Sequence, residues 1–547
     1  MIYDVIVVGG GVAGLMASIE VKIKNPNFKV AVVTKGNIFK SNSSLASGGI
    51  NGVLSNDSVE IKKHIDDTLS GAFGLADKKA VSYMCQQAPK SIEKLVEYGV
   101  LFDRDKAGNI LQRSFGGGSS KRTCFVGDKT GGAITATLIK KAKEIGVEFV
   151  VNTFVLNLAK INNSISGIVA LRRIDSSVVV FPAKSVILAG GGYAGIYRGF
   201  STNASDYTGD ILAVALRAGL HLVDMEFVQF HPTGFIKTSY LVSEAARGEG
   251  GYLINSDGNR FVNELETRDV VSRAIASEIA KGQKVYIDLR HLPKEQIETK
   301  LPSLQKAALM QAGIDVCTEL LEIKPVAHYT MGGIETDMTS TAIKGLFACG
   351  ECSANGVHGA NRLGGNSLLE GVVFGELAGQ KASKYTQGRD FLPIDYNIVV
   401  KDLKKVDYIF LYDSTKNFNA MRVSLGKTMF DLVGITRDEK GLEKAYDYLK
   451  YLRNESRNLH CMDKSKSNNV ELVSILELQN ALLVAECTVL LATKRKESRG
   501  SHFRSDYPTS SQNLSGHIFI KEVQYNYFKI WFENNNLIQK IIRFFVR

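Results

Sequence analysis

Residues 3–8 (YDVIVV) form a nearly unbroken apolar run and predict a short strand. Glycines follow at positions 9, 10, 11 and 14, and residues 15–24 (LMASIEVKIK) then carry a helical pattern. A second strand is expected over residues 29–34 (KVAVVT). Two later apolar runs also end in glycines, at 185–192 (SVILAGGG) and 345–351 (GLFACGE). Beyond residue 400 the period changes. Apolar positions at three and four spacing in 426–432 and 442–453, and a long periodic run over 470–493, predict helices. No internal repeat stands out. The last stretch, 518–547, interleaves Phe519, Tyr525, Tyr527, Phe528, Trp531 and Phe544 with Lys521, Lys529, Lys540 and Arg543. It is expected to form an amphipathic packing helix, in preference to a helix for a partner or a membrane surface.

No run reaches the ~18 apolar residues of a membrane span. The opening strand leads straight into glycines, without a charged leader or a cleavage site. The expected location is therefore cytoplasmic, with room for peripheral attachment to the inner face of the cell membrane.

Composition narrows the class. Of 547 residues, 44% are hydrophobic and 22% charged, which excludes disordered and low-complexity chains. At roughly 150 residues per domain, three or four domains are expected. Glycine at 51 against proline at 9 points to close backbone approaches rather than to flexible linkers. A net charge of +11 suits an anionic small molecule, a nucleotide, an acidic partner or a membrane surface, without choosing among them. Seven scattered cysteines make a poor disulfide framework. Cys349 and Cys352 form a CxxC, but no second pair completes a zinc site, so buried packing roles are expected and no metal.

Gly9, Gly11 and Gly14 are a GxGxxG set between a strand and a helix, the setting in which that spacing binds a dinucleotide pyrophosphate. An NAD site would usually place an acidic residue at the end of the second strand, where Thr34 and Lys35 stand instead. Three strand-to-glycine segments spread over some 350 residues suit a long FAD threaded through one discontinuous domain.

Further motifs run in order along the chain: Ser47-Gly48-Gly49, QFHPT at 229–233, SEAARGEGG at 243–251, TRD at 267–269, AHYTMGG at 327–333, HGANRLGGNS at 358–367 and ESRG at 497–500. Over residues 1–507 the sequence resembles the fumarate reductase/succinate dehydrogenase flavoprotein family, which includes L-aspartate oxidase. The resemblance implies an α/β fold. A discontinuous, doubly wound, Rossmann-like FAD-binding domain (1–230 and 329–390) would carry an inserted capping domain (231–328). A helical C-terminal domain (400–507) would follow, with the tail 508–547 unassigned.

The resemblance also implies residue roles. Gly9, Gly11, Gly14, Thr34, Lys35, Asn42, Ser43, Gly48, Gly49, Gly190, Gly191 and Asp210 would line the FAD. Arg362 would also line the FAD, and Glu351, Asn366, Ser367 and Leu368 would meet its ribityl chain and pyrimidine end, where a helix N-terminus would stabilise the anionic reduced flavin. His231, Ser243, His328, Arg362 and Phe115 would hold a C4 dicarboxylate, for which arginine forks are the best partners. The histidines and Arg362 neighbour small, turn-forming residues and are expected to project from loops. A hydride from flavin N5 would reach one carbon of the double bond, and Arg268 would protonate the other, fed by Glu244 and Arg247. The last two lie three apart, on one face of a helix.

Two departures bear on function. Respiratory members carry a histidine linked covalently to the flavin where this chain has Asn42, so non-covalent FAD is expected. Loss of that link favours fumarate reduction. Aspartate oxidases place a glutamate for the substrate ammonium where this chain has Phe115, and a phenyl ring cannot pair that charge. Residues 495–502 and 506–508, in contrast, look aspartate-oxidase-like. The leading expectation is a flavoprotein subunit interconverting fumarate and succinate. It would exchange electrons with an iron–sulfur subunit, because no cysteine cluster exists for its own centre, and would touch a membrane only through other subunits. L-Aspartate oxidase, making iminoaspartate for NAD synthesis, is the alternative, and a non-catalytic FAD-binding protein is a third. No arginine-rich stripe supports nucleic-acid binding.

Overall fold

A computed structural model describes the chain apart from residues 205, 414, 526, 535–543 and 547. The strand Tyr3–Val8 pairs in parallel with Val30–Val33 on one side and with Ser177–Leu188 on the other. Leu346–Ala348 pairs in parallel with the end of Ser177–Leu188. The three apolar runs that end in glycine thus lie side by side, and Gly9, Gly190 and Gly350 meet at one end of the sheet. Pro182 marks a change of partner within the Ser177–Leu188 strand. Up to Pro182 it pairs antiparallel with Ser164–Arg172, and from Ala183 it pairs in parallel with the opening strand.

Two helices cross one face of this sheet at unusually close range. Gly371, Gly375 and Gly379 recur every fourth residue on the helix Asn366–Thr386, facing the helix Val12–Lys24. A methyl group at Gly375 would stand 2.5 Å from the Ala13 carbonyl oxygen, and one at Gly379 would stand 2.5 Å from that of Ala17. Hydrogen in place of a side chain is what lets the two backbones touch.

A four-stranded antiparallel sheet, ordered Val228–Phe235, Leu321–Thr330, Val285–Asp288 and Tyr252–Asn255, is built around its own apolar core of Val242, Leu253, Ile275, Ile287 and Leu321. Its first two strands run back into the dinucleotide region, so they join the two parts of the molecule.

The periodic stretches beyond 400 form Tyr396–Leu411, Phe418–Leu432, Glu439–Ser456 and Val470–Lys494. The last corrects one expectation, since it is long and apolar enough to cross a membrane by length and composition. It is nevertheless buried inside this chain, with Leu476, Leu482 and Leu490 in the core beside Tyr193, Leu442 and Leu449. A helix apolar on every side is what such a central position requires.

The tail corrects another. Gly516–Gln524, Tyr527–Asn534 and Phe544–Val546 are strands, not a helix, and extend a six-stranded sheet through Leu222–Val223. Ile518, Ile520, Phe528 and Ile530 point into the main core, while Phe519 and Trp531 stack on the opposite face with centroids 5.2 Å apart. Lys540 and Arg543 lie outside the described residues. The segment that resembles aspartate oxidases is a structural lock. Arg495, wholly buried, binds Glu226, Asp224 and Glu497, and Arg437 binds His502.

Candidate active site

The glycine cradle fits a dinucleotide. Gly9 has φ +114°, and a Cβ there would stand 2.1 Å from the Ala189 carbonyl oxygen. A Cβ on Gly14 would meet the Gly9 carbonyl at 2.0 Å, so this glycine closes the turn instead of lining the space beyond it. That space consists of two adjoining cavities. One, of about 330 Å³, is lined by Thr34, Lys35, Arg173 and Asp210 at the end of the second strand. The other, of about 900 Å³, runs past Gly11, Asn42, Ser43, Gly190 and Gly191 to Glu351, Arg362, Ser367 and Leu368. Both are bounded by Gly9, Gly10, Ser41, Gly190 and Tyr207, so together they form one elongated trough.

Not every expected cofactor residue offers a free group. The Lys35 ammonium is bound to Asp210 (2.7 Å), to Glu477 (2.9 Å) and to the Asp206 carbonyl, and the Thr34 hydroxyl donates to the Gly36 carbonyl. Gly48 and Gly49 line neither cavity. They make room for Phe115 and for the Cys124 backbone, respectively. Asn42 opens a four-residue helix, and its Nδ2 is buried without a partner.

Beyond the trough, Gln229 forms a hub. Its amide nitrogen donates to the Arg362 carbonyl (2.7 Å) and to Asn361 Oδ1 (2.8 Å). That orientation turns its oxygen toward Arg268 Nη1 (3.1 Å) and Arg362 Nη2 (3.2 Å). Two buried guanidinium groups therefore share one neutral acceptor. Glu244 Oε2 accepts from Arg268 Nη2 (2.6 Å) and Nε (2.9 Å), and Glu244 Oε1 accepts from the Gly116 N–H (2.8 Å). Burial would raise the Glu244 carboxyl, but Arg268 and Arg247 bring it below its ordinary value. Arg247 lies 4.0 Å from Glu244 and donates to the Glu264 carbonyl, and its Nε and Nη2 are buried without partners. Ser243 caps the short helix Glu244–Gly248 that carries both residues.

Arg362 stacks over the Tyr329 ring at 4.1 Å and donates to Ser367 Oγ (2.8 Å). Burial, with the Arg268 charge close by, pushes its pKa down to about 10. His231 and His328 stand on strands rather than loops, which corrects the sequence expectation. His231 pairs across from Val326, and irregular register on either side of it re-aims the side chains. Its ring lies 5.1 Å from that of His328, whose Nδ1 meets Thr202 Oγ1 at 2.7 Å. Burial first, and the neighbouring arginines second, hold both imidazoles neutral. Phe115 is buried against Gly48 and Gly364, beside Glu244.

Residues 4–368 match the FAD binding domain family and 422–539 the fumarate reductase flavoprotein C-terminal family, so the likeness extends well into the tail. The succinate dehydrogenase flavoprotein subunit of Rickettsia bellii is 38% identical over 541 residues, covering 92% of this chain and 90% of that one. The chain belongs to the fumarate reductase/succinate dehydrogenase flavoprotein family. It is a flavoprotein oxidoreductase, and its cofactor is FAD. An uncharacterized FAD-dependent oxidoreductase of Methanocaldococcus jannaschii is 39% identical, with 97% of each chain covered. Among solved structures, a variant of E. coli quinol fumarate reductase superposes with a TM-score of 0.93 at 33% identity, covering 99% of this chain and 98% of that one.

Gln229, Asn361 and Tyr329 lie inside the recognised motifs but are not among the residues to which the sequence assigns a role. Glu370 carries no motif signal of its own. It lines the larger cavity, accepts from Asn355 Nδ2 (2.6 Å), and is pushed by burial up to about 8, while Glu351 is pushed up to about 7. A raised carboxyl stabilises the fold in its protonated form. That contribution is complete below the ordinary carboxyl value of 4.5 and is lost as pH rises through about 8. The apoprotein should therefore melt at a lower temperature at pH 9 than at pH 6. In Glu370→Gln, which keeps the acceptor without the charge, the drop should be smaller. Equal drops in the two proteins, followed by scanning calorimetry, would refute the titration of Glu370.

Proposed function

We propose that this flavoprotein interconverts fumarate and succinate, with the balance toward fumarate reduction, on FAD held without a covalent bond. One observation supports this above the rest: three buried guanidinium groups cluster about one carboxylate, with Arg268 and Arg247 flanking Glu244 and Arg362 sharing the Gln229 oxygen with Arg268. The nearby Glu264 carboxylate is already taken by Arg260, and both histidines are neutral. About two positive charges are left for a ligand, which is the complement of a C4 dicarboxylate. The unpartnered donors on Arg247 and Arg362 mark where further acceptors are needed.

Bound FAD supplies the two-electron redox chemistry. Arg362, His231 and His328 would bind and orient the carboxylates, with Phe115 excluding water beside them. Arg268 would give a proton to one carbon of the double bond while its charge stabilises the negative charge developing there. Glu244, 2.6 Å from Arg268 Nη2, would return the proton, drawing it from the side of Arg247. The cysteines are dispersed, and no group of metal-ligating side chains occurs among the described residues. Electrons would therefore pass to or from an iron–sulfur subunit, and any membrane contact would be made through other subunits.

Arg268→Ala should keep FAD and lose fumarate reduction by ~10²-fold or more, the usual scale for a positioned general acid. Arg268→Lys retains the charge without the fork and should recover little. Near-normal turnover of either variant with a reduced dye would remove Arg268 from the proposed step.

Asn42 stands where a covalent link would form. Acid precipitation should release all of the yellow colour into the supernatant, and flavin fluorescence remaining on the denatured polypeptide would contradict this.

Phe115 sets the choice between fumarate and aspartate. An ammonium left unpaired in a buried site costs at least ~1–3 kcal/mol. Anaerobic aspartate should leave the flavin absorbance unchanged, while Phe115→Glu should weaken fumarate turnover by placing a like charge beside a dianion. Rapid bleaching of the wild-type flavin by aspartate would overturn the assignment.

A further inference from the structure

The helix Asn366–Thr386 begins where Ser367 and Leu368 reach the larger cavity, yet no side-chain cap holds its first turn. The preceding Gly365, at φ +81°, lets the chain enter at a sharp angle. What fixes this end is the side chain of Asn366, which is wholly buried and gripped from three sides. Its Oδ1 accepts from Asn51 Nδ2 (2.8 Å) and faces His64 Nε2 (3.0 Å), and its Nδ2 donates to Thr68 Oγ1 (3.0 Å). His64 and Thr68 lie four apart on the helix Ser58–Gly71, so one face of that helix holds both ends of a single carboxamide.

The neighbours decide where the protons are. Thr123 Oγ1 donates to Asn51 Oδ1 (2.6 Å), and Asn51 Nδ2 donates to the Gly364 carbonyl (2.7 Å), which orients the Asn51 amide. Asn51 then presents a donor to Asn366, so Asn366 Oδ1 is the acceptor and His64 Nε2 must carry a hydrogen. Burial pushes the His64 pKa down to about 4, which leaves the ring neutral and Nδ1 bare. That Nδ1 is buried without a partner. An imidazole kept wholly inside with one nitrogen unsatisfied is costly, and a leucine there would avoid the cost. Among the described residues the His64 ring bonds to Asn366 and its carbonyl accepts from Thr68 Oγ1, and no hydrogen bond of His64 goes to Arg268 or Arg362.

We infer that His64 is a positioning residue for the redox reaction. By donating to Asn366 Oδ1 it holds the first turn of the Asn366–Thr386 helix, keeping the N–H groups of Ser367 and Leu368 aimed at the pyrimidine end of FAD. The first N–H groups of a helix have no partner within it and carry its positive end, so they favour the anionic reduced flavin over the neutral oxidised one. The inference rests on the placement of that end of FAD at Ser367 and Leu368.

The test compares wild type, His64→Leu, His64→Gln and Thr68→Val in two measurements. One is the dissociation constant of FAD from the apoprotein, read by flavin fluorescence. The other is the midpoint potential of the reconstituted holoprotein, read by dye equilibration. His64→Leu should weaken FAD binding about tenfold, the effect of one buried donor lost. It should also lower the potential, by about 30 mV for each tenfold loss of preference for reduced flavin. His64→Gln offers a carboxamide N–H to the same oxygen and should restore both values toward wild type. Thr68→Val loosens the other end of the Asn366 amide and should shift both in the direction of His64→Leu. An unchanged potential in His64→Leu overturns the inference, and so does a Gln variant no better than Leu. If His64→Leu does not fold, an unchanged potential in Thr68→Val overturns it instead. Neither measurement involves fumarate. A wild-type protein that binds FAD and ignores fumarate would defeat the proposed reaction and leave this inference standing.

Discussion

Burying like charges together is expensive, and the centre of this molecule is organised around doing so. Arg268 and Arg362 are both buried and share a single acceptor, the Gln229 oxygen. Arg247 lies behind them, also buried, with Glu244 between. Such a cluster persists only if each guanidinium is held by groups that cannot relax away from it. The structure provides that rigidity. Gln229 and the histidines are built into paired strands, Arg268 opens a helix, and Arg362 is stacked on Tyr329. The site is thus electrostatically prepared for an anion before one arrives.

The trough depends on the opposite device, the removal of side chains. Gly9 and Gly14 let the opening turn fold against Ala189 and against itself, and Gly375 and Gly379 let two helices touch. These contacts bring the ends of three distant strands to one place, in line with the rule that ligands of open α/β sheets bind beyond the carboxyl ends of the strands. The Asn366–Thr386 helix connects the two devices. It packs along the dinucleotide helix through its glycines and presents its first turn to the cavity beside Arg362 and Ser367.

The charge on Arg495 shows how a shared segment can mislead. Residues 495–502 and 506–508 look aspartate-oxidase-like in sequence, but Arg495, Glu497 and His502 are buried in ion pairs and hydrogen bonds that also involve Asp224, Glu226 and Arg437. They secure the join between the helical region and the tail strands, and none of them reaches Arg268 or Arg362. Phe115, in contrast, lies beside Glu244, and its ring fills the space left by Gly48 and Gly364.

Much was legible from the sequence because it depends on local chemistry. The strand–glycine–helix opening, the two later glycine-ended strands and the helices beyond 400 follow from side-chain size and period at given positions, and the arginines of the site from the family motifs in which they stand. Other features were decided only by tertiary contacts. The tail alternates aromatic and charged residues in a way that suits a helix surface or an edge strand, and it became strands because Leu222–Val223 offered an open edge to Gly516–Gln524. The 470–494 helix has the composition of a membrane span, and only its neighbours show that it is a core helix. His231 and His328 sit among turn-forming residues in sequence, yet strand pairing and bulges bring their rings together edge-on. Glu370 and His64 gain their unusual protonation from burial, which is a property of the packed molecule and not of any position along the chain.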